Sequence, residues 1–104
     1  INPAVHPQNH GRVLVGEFPL WHDPSKTIRF EPRFLDELAA IDREVLPPWP
    51  DCMTLVGTED EVLDPQEMGA YYANTDFHWV QGADHAMGEF QAWLPTVDAF
   101  LCRP

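Results

Sequence analysis

The chain has 104 residues, which suffices for one domain with a core of modest size. Its hydrophobic content of 44%, with four Trp, six Phe and two Tyr, indicates a folded chain. A net charge of -11 with only six Lys and Arg argues against a nucleic-acid partner, because phosphate binding depends on basic side chains. No apolar run approaches the roughly 20 residues of a membrane span and no signal peptide is visible, so we expect a cytoplasmic protein.

The first 30 residues are predicted to be irregular. The chain begins at Ile1 without an initiator Met, and Ile1 is interpreted as the end of a strand that starts upstream, so we expect the C-terminal part of a longer protein. Repeated Pro and Gly break this segment into short pieces, and its apolar side chains predict a packed lid. Its irregularly spaced histidines are expected to be exposed and not to bind metal: His6, His10 and His22.

The first helix is predicted over residues 32–45. Pro32 suits the first helical position, where its missing N–H costs nothing. Apolar side chains then follow the i, i+4, i+7, i+11 spacing of one buried face: Phe34, Leu38, Ile41 and Val45. Three prolines among residues 47–50 end this helix.

Residues 51–104 are predicted to form a strand, a helix, a strand and a helix. The apolar run of residues 52–57 does not alternate, which is typical of a parallel strand covered on both faces. Asp64 is a good N-cap for the next helix, and residues 77–81 form the second strand. The last helix extends from about residue 88 to 102, with a kink or break expected near Leu94 because Pro95 follows. Strands that alternate with helices predict an α/β fold with a parallel sheet.

The loops after the two predicted strands carry the candidate catalytic residues. Right-handed crossovers place these loops side by side at the edge where open α/β sheets have their active sites. Asp60 is the candidate acid, and His85 is the candidate base that the carboxylate would hold in one tautomer. Taken alone, Asp60 could stabilise its own turn and His85 could be structural. Asp84 is a competing partner for His85.

The sequence offers no nucleophile for this pair. The only serine, Ser25, lacks the Gly-x-Ser-x-Gly elbow, and Cys52 precedes a strand and is expected at the opposite end of the sheet. No cofactor and no metal are predicted. Two cysteines cannot define a zinc site, and the acidic run of residues 59–64 lacks the order of a calcium loop. Two acids of that run are expected to be solvated: Glu59 and Glu61.

Four segments occur in an order that resembles a known family. They are the Asn-Pro-Ala-Val run of residues 2–5, the acidic loop of residues 57–64, the Ala-Tyr-Tyr-Ala run of residues 70–73 and the Gly-Ala-Asp-His-Ala turn of residues 82–86. Together they resemble the C-terminal half of the YqiA-like esterases, small members of the α/β-hydrolase superfamily. The resemblance implies that Asp60 is the triad acid and His85 the triad base. The family's first half, with its nucleophile, is absent from this sequence.

The resemblance also implies an organisation and a function. Residues 1–104 would be the C-terminal portion of a single α/β-hydrolase domain, with cap-like loops and a helix in residues 1–50 and the triad acid and base in residues 51–104. The chain would take part in hydrolysis of a small acyl ester or thioester. Its expected partner is the N-terminal half of the same hydrolase or a second copy of this chain. The alternative is a non-catalytic α/β interaction module, or an inactive fragment, that pairs through an exposed sheet edge.

Overall fold

A computed structural model describes all 104 residues apart from the side chains of residues 11 and 12. It divides into two compact units. The sheet unit consists of Ile1–Val5 and Val45–Pro104, and the hairpin unit consists of His6–Glu44. The chain therefore leaves the sheet unit after five residues and returns to it near the middle of the sequence.

The hairpin unit contains a β-hairpin where irregular structure was predicted. Strands β1 (Gly16–Leu20) and β2 (Asp23–Phe30) pair antiparallel, after a helix α1 (Pro7–His10) and a short 3₁₀ helix (Gly11–Leu14). The prediction that this segment is irregular is therefore wrong for residues 16–30. Most residues of both strands are exposed, so the sequence carries no apolar alternation there. Each strand also contains a proline, which is tolerated because both strands of a two-stranded sheet are edges.

Helix α2 (Pro32–Ile41) begins at the predicted residue and ends four residues earlier than predicted. Asp42 has an extended backbone conformation, so the helix stops there. Phe34 and Leu38 are half-buried, as expected for the inner face. Ile41 is 78% exposed and Val45 is 73% exposed, so only two of the four residues predicted for the apolar face lie on an inner face.

The sheet unit confirms the predicted α/β class. Strand β3 (Met53–Gly57), helix α3 (Pro65–Tyr71), strand β4 (Asp76–Val80) and helix α4 (Phe90–Leu101) follow in that order. The two strands are parallel, with Met53 opposite Asp76 and Gly57 opposite Val80. Helix α4 continues through Pro95, so the helix is not broken there.

The core of the sheet unit lies on both faces of β3. Successive side chains of a strand point to opposite faces. Leu55 belongs to a cluster with Val80 and Met87, against which α4 packs, whereas Val56 belongs to a cluster with Met68 of α3. This two-sided burial explains why β3 does not alternate in sequence. No helix in the described part of the chain is long and apolar enough to cross a membrane.

Candidate active site

Asp60 lies three residues beyond the end of β3, in a buried position. The side chain has no exposed surface, although the loop residues beside it are exposed. Its Oδ1 accepts hydrogen bonds from the backbone N–H groups of Val62 and Leu63, each at 2.8 Å. Asp60 therefore does stabilise its own turn, the alternative role considered from the sequence. These contacts fix the carboxylate and leave Oδ2 free of backbone partners among the described hydrogen bonds.

His85 contacts that second oxygen. Its Nδ1 lies 2.9 Å from Oδ2 of Asp60 and 3.2 Å from Oδ1. A carboxylate only accepts hydrogen bonds, so Nδ1 must carry the proton of this contact. In the neutral ring, Nε2 is then the basic nitrogen. The His85 side chain is 40% exposed, so the pair consists of a buried acid and a partly exposed imidazole.

Asp60 is held in its ionised form. Burial raises the pKa of the Asp60 carboxyl, but the hydrogen bonds to it outweigh that effect. The N–H of Leu63, the ring of His85 and the N–H of Val62, with the charge attraction of His85, together bring the pKa below its ordinary value of 3.8. At neutral pH the carboxylate can therefore orient His85 and balance the charge of a protonated imidazole.

The loops that carry the two residues are in direct contact. The N–H of Glu59 donates to the carbonyl of Ala83 at 3.0 Å, and the N–H of Gly82 donates to Oγ1 of Thr58 at 2.9 Å. A Cβ atom at Gly57 would lie 2.4 Å from the Ala83 oxygen, closer than any real contact. Glycine at the end of β3 thus allows the second loop to approach the first.

Two residues that the sequence analysis did not assign to the site hold the backbone of His85. A carboxylate oxygen of Glu61 accepts from the His85 N–H at 3.1 Å, although this exposed acid was expected only to be solvated. Nδ2 of Asn2 donates to the His85 carbonyl at 2.9 Å and to the Asp84 carbonyl at 3.2 Å. Asp84 therefore contributes its backbone to these contacts. The sequence drew attention to Asn2 only through the Asn-Pro-Ala-Val run, one of the four segments that resemble the family.

The structure also shows the surroundings of the other residues considered from the sequence. Ser25 belongs to β2 in the hairpin unit, where its hydroxyl donates to Asp23 at 2.6 Å. Cys52 directly precedes β3 and is thus at the opposite end of that strand from Asp60. Both cysteines are free thiols, and no group of His, Cys, Asp and Glu among the described residues could hold a metal ion.

The hairpin unit has an acid–histidine pair of its own. His6 Nδ1 and Asp42 Oδ2 lie 2.5 Å apart, and Gln8 Nε2 donates to the same oxygen at 2.6 Å. The hydrogen bond from Gln8, followed by that from His6, lowers the pKa of Asp42 below its ordinary value. The expectation that His6 is an exposed loop residue is wrong, because its side chain is only 22% exposed. This pair ties α1 to the end of α2.

The fold and the contacts define an α/β protein with a buried carboxylate and a histidine at the carboxyl ends of two neighbouring parallel strands. The chain belongs to the Uncharacterised protein family (UPF0227), the YqiA-like family, whose sequence model matches residues 1–102. The resemblance found in the sequence is thereby confirmed at the level of the family. No curated protein matches the chain.

Proposed function

We propose that this chain supplies the acid and the base of a carboxylic ester or thioester hydrolase of the serine-His-Asp type. The observation that carries the proposal is the 2.9 Å contact between Nδ1 of a partly exposed His85 and the fully buried carboxylate of Asp60. Both residues follow the carboxyl ends of adjacent parallel strands, where open α/β sheets bind their ligands. The resemblance to the YqiA-like esterases supports the same assignment.

In the proposed reaction His85 moves the proton. A serine hydroxyl attacks the acyl carbon while Nε2 of His85 accepts the hydroxyl proton. Asp60 stabilises the imidazolium that results. His85 then gives this proton to the departing alcohol or thiol, which leaves an acyl-serine. Water attacks that ester with His85 again as the base, and the carboxylic acid and the free serine are released.

We propose that the serine comes from polypeptide outside residues 1–104. Ser25 is the only serine of the chain, and it belongs to the hairpin unit and bonds to Asp23. The N-terminal half of the same hydrolase is the source that the family resemblance implies. Residues 1–104 would then be the C-terminal portion of one α/β-hydrolase domain, with residues 1–50 as its cap-like region and no cofactor involved.

Turnover of p-nitrophenyl esters and acyl thioesters tests the proposal. The protein to assay is the complete one, which holds residues 1–104 together with the nucleophile. We expect His85→Gln to lower kcat by at least about 10⁴-fold, because glutamine has no basic nitrogen to accept the serine proton. His22→Gln is the matched control, because this histidine is exposed in the hairpin unit. A His85→Gln protein that keeps turnover within tenfold of the wild type would refute the assignment.

Native mass spectrometry of the purified protein tests the source of the nucleophile. We expect a second polypeptide with a Gly-x-Ser-x-Gly serine, or a single chain longer than 104 residues that contains one. If the protein is active and only the 11.9 kDa chain is present, the proposal that an outside serine is the nucleophile is wrong.

A non-catalytic interaction module is the second candidate, and one observation favours it. An apolar groove of about 190 Å³ opens between β3 and α4, with Met53, Leu55, Phe90, Val97 and Phe100 among its lining residues. Such a groove, beside a sheet of two strands, suits a partner that adds a strand or helix. Sedimentation and turnover together distinguish the candidates. An interaction module sediments as a complex and hydrolyses no ester, and His85→Gln leaves that complex intact. A monomer, or ester turnover that His85→Gln abolishes, contradicts the module.

A further inference from the structure

Asn2 pairs with the free edge of β3 through both its backbone and its side chain. Its backbone N–H donates to the Leu55 carbonyl at 2.9 Å, and its Oδ1 accepts from the Gly57 N–H at 2.9 Å. The residue is only 8% exposed and has a φ of 40°, a left-handed conformation that Asn tolerates better than most residues. The side-chain oxygen thus satisfies the last buried N–H of the strand.

The amide nitrogen of the same side chain reaches the loop after β4. Its two N–H groups have two acceptors, the carbonyls of Asp84 at 3.2 Å and His85 at 2.9 Å. An asparagine amide has two donors and one acceptor oxygen, so both polar atoms of the Asn2 side chain are used. One buried side chain therefore connects the strand that leads to Asp60 with the loop that carries His85.

We propose that Asn2 is a positioning residue that sets the distance between His85 and Asp60. The inference rests on the proposed function and deepens it. Asp60 cannot follow a displaced histidine, because two backbone N–H groups hold its Oδ1. The His85 ring is 40% exposed, so packing alone does not fix it. The position of the ring depends on its peptide backbone, whose carbonyl Asn2 holds.

The substitution Asn2→Asp distinguishes the hydrogen bonds that Asn2 donates to the His85 loop from the packing of its side chain. Aspartate has the same shape and can still accept from the Gly57 N–H. Its second carboxylate oxygen would face the carbonyl oxygens of Asp84 and His85, and these three acceptors repel one another. The variant therefore keeps the contact with β3 and loses the contact with the histidine loop. Asn74→Asp is the matched control, since Asn74 is an exposed asparagine of the same unit.

Nitrogen-15 NMR of the His85 ring in the full chain is the test. In the wild type we expect the neutral ring to be mainly the Nδ1–H tautomer, because Asp60 accepts from that nitrogen. In Asn2→Asp we expect the ratio of Nδ1–H to Nε2–H to fall at least fivefold, toward the ratio in Asp60→Asn, while Asn74→Asp keeps the wild-type ratio. An unchanged ratio in a folded Asn2→Asp protein overturns the proposal.

A measurement on the wild type covers the case in which Asn2→Asp does not fold. We expect the side-chain amide protons of Asn2 to exchange with solvent at least tenfold more slowly than those of Asn74. Equal exchange rates would show that the amide is not engaged, which also overturns the proposal. Neither readout needs turnover. If the complete protein, with its nucleophile, hydrolyses no ester while Asn2→Asp still shifts the tautomer ratio, the proposed function is refuted and the role of Asn2 stands.

Discussion

The close approach of the two site loops at Gly57 gives the sharpest prediction. An alanine Cβ at this position would lie 2.4 Å from the Ala83 oxygen and 3.0 Å from the Asp84 oxygen. An ordinary carbon–oxygen contact is about 3.3 Å, so the loop must retreat by about 0.9 Å. Both oxygens belong to the backbone, so no side-chain rotation can relieve the overlap.

This displacement acts on the loop that carries His85. The contact of 2.9 Å between Nδ1 and Asp60 would lengthen to about 3.8 Å, if the loop moves directly away, and would cease to be a hydrogen bond. Overpacking of this kind destabilises by about 1–3 kcal/mol. A misplacement of about 1 Å costs on the order of 10²-fold in rate. We therefore expect Gly57→Ala to lower kcat far more than a loss of stability alone would do.

The assay combines a thermal melt with turnover measured well below the melting midpoint. A loss of about 1 kcal/mol lowers the midpoint by about 4–8 °C in a domain of this size. Gly88→Ala is the control, because a Cβ there meets nothing within 4 Å and its φ is not positive. If Gly57→Ala keeps both the melting midpoint and kcat of the wild type, the close packing of the loops does not hold His85 in place.

Two further predictions concern single carboxylates. The pKa of Asp60 is lowered in the folded chain, so its stabilising contribution is fully present above its ordinary value of 3.8 and is lost as the pH falls through the folded value. In urea titrations from about pH 6 to about pH 2, Asp60→Asn should thus show a smaller acid-induced loss of stability than the wild type, and parallel curves would contradict this. Asp64 caps α3 by accepting from the N–H groups of Gln66 and Glu67, so Asp64→Ala should cost about 1 kcal/mol. Glu89→Ala is its control, because Glu89 makes no side-chain cap bond at α4, and an equal loss in both variants would refute the capping role.

The sequence predicted the sheet unit well because its signals are local and agree with one another. The apolar run of β3, the cap and proline that begin α3, and the aromatic side chains of α4 each favour one structure. The hairpin unit gave no such signal. Its strands are largely exposed and contain Pro19 and Pro24, so neither apolar alternation nor residue preference indicated strands. The pairing of β1 with β2 is fixed by backbone hydrogen bonds that a sequence pattern does not show.

From the sequence, only those features of the candidate site that follow from chain topology could be predicted. Parallel strands joined by a right-handed crossover bring their following loops together, which placed Asp60 and His85 at one sheet edge. The contacts of Asn2 and Glu61 with the His85 backbone could not be predicted in this way. They depend on the direction of individual polar side chains, and a buried asparagine or an exposed glutamate has no periodic pattern that would reveal its partner.

The contacts that position Asp60 and His85 do not involve a nucleophile. Asp60 is fixed by the turn in which it lies, and the His85 backbone is held from two directions, by Asn2 and by Glu61. All of these contacts lie within the sheet unit. The acid and the base are therefore positioned relative to each other without any contribution from the group that they would serve. The tautomer of His85 can thus be measured whether or not a serine is present, and the chemistry of the pair can be judged separately from that of the complete enzyme.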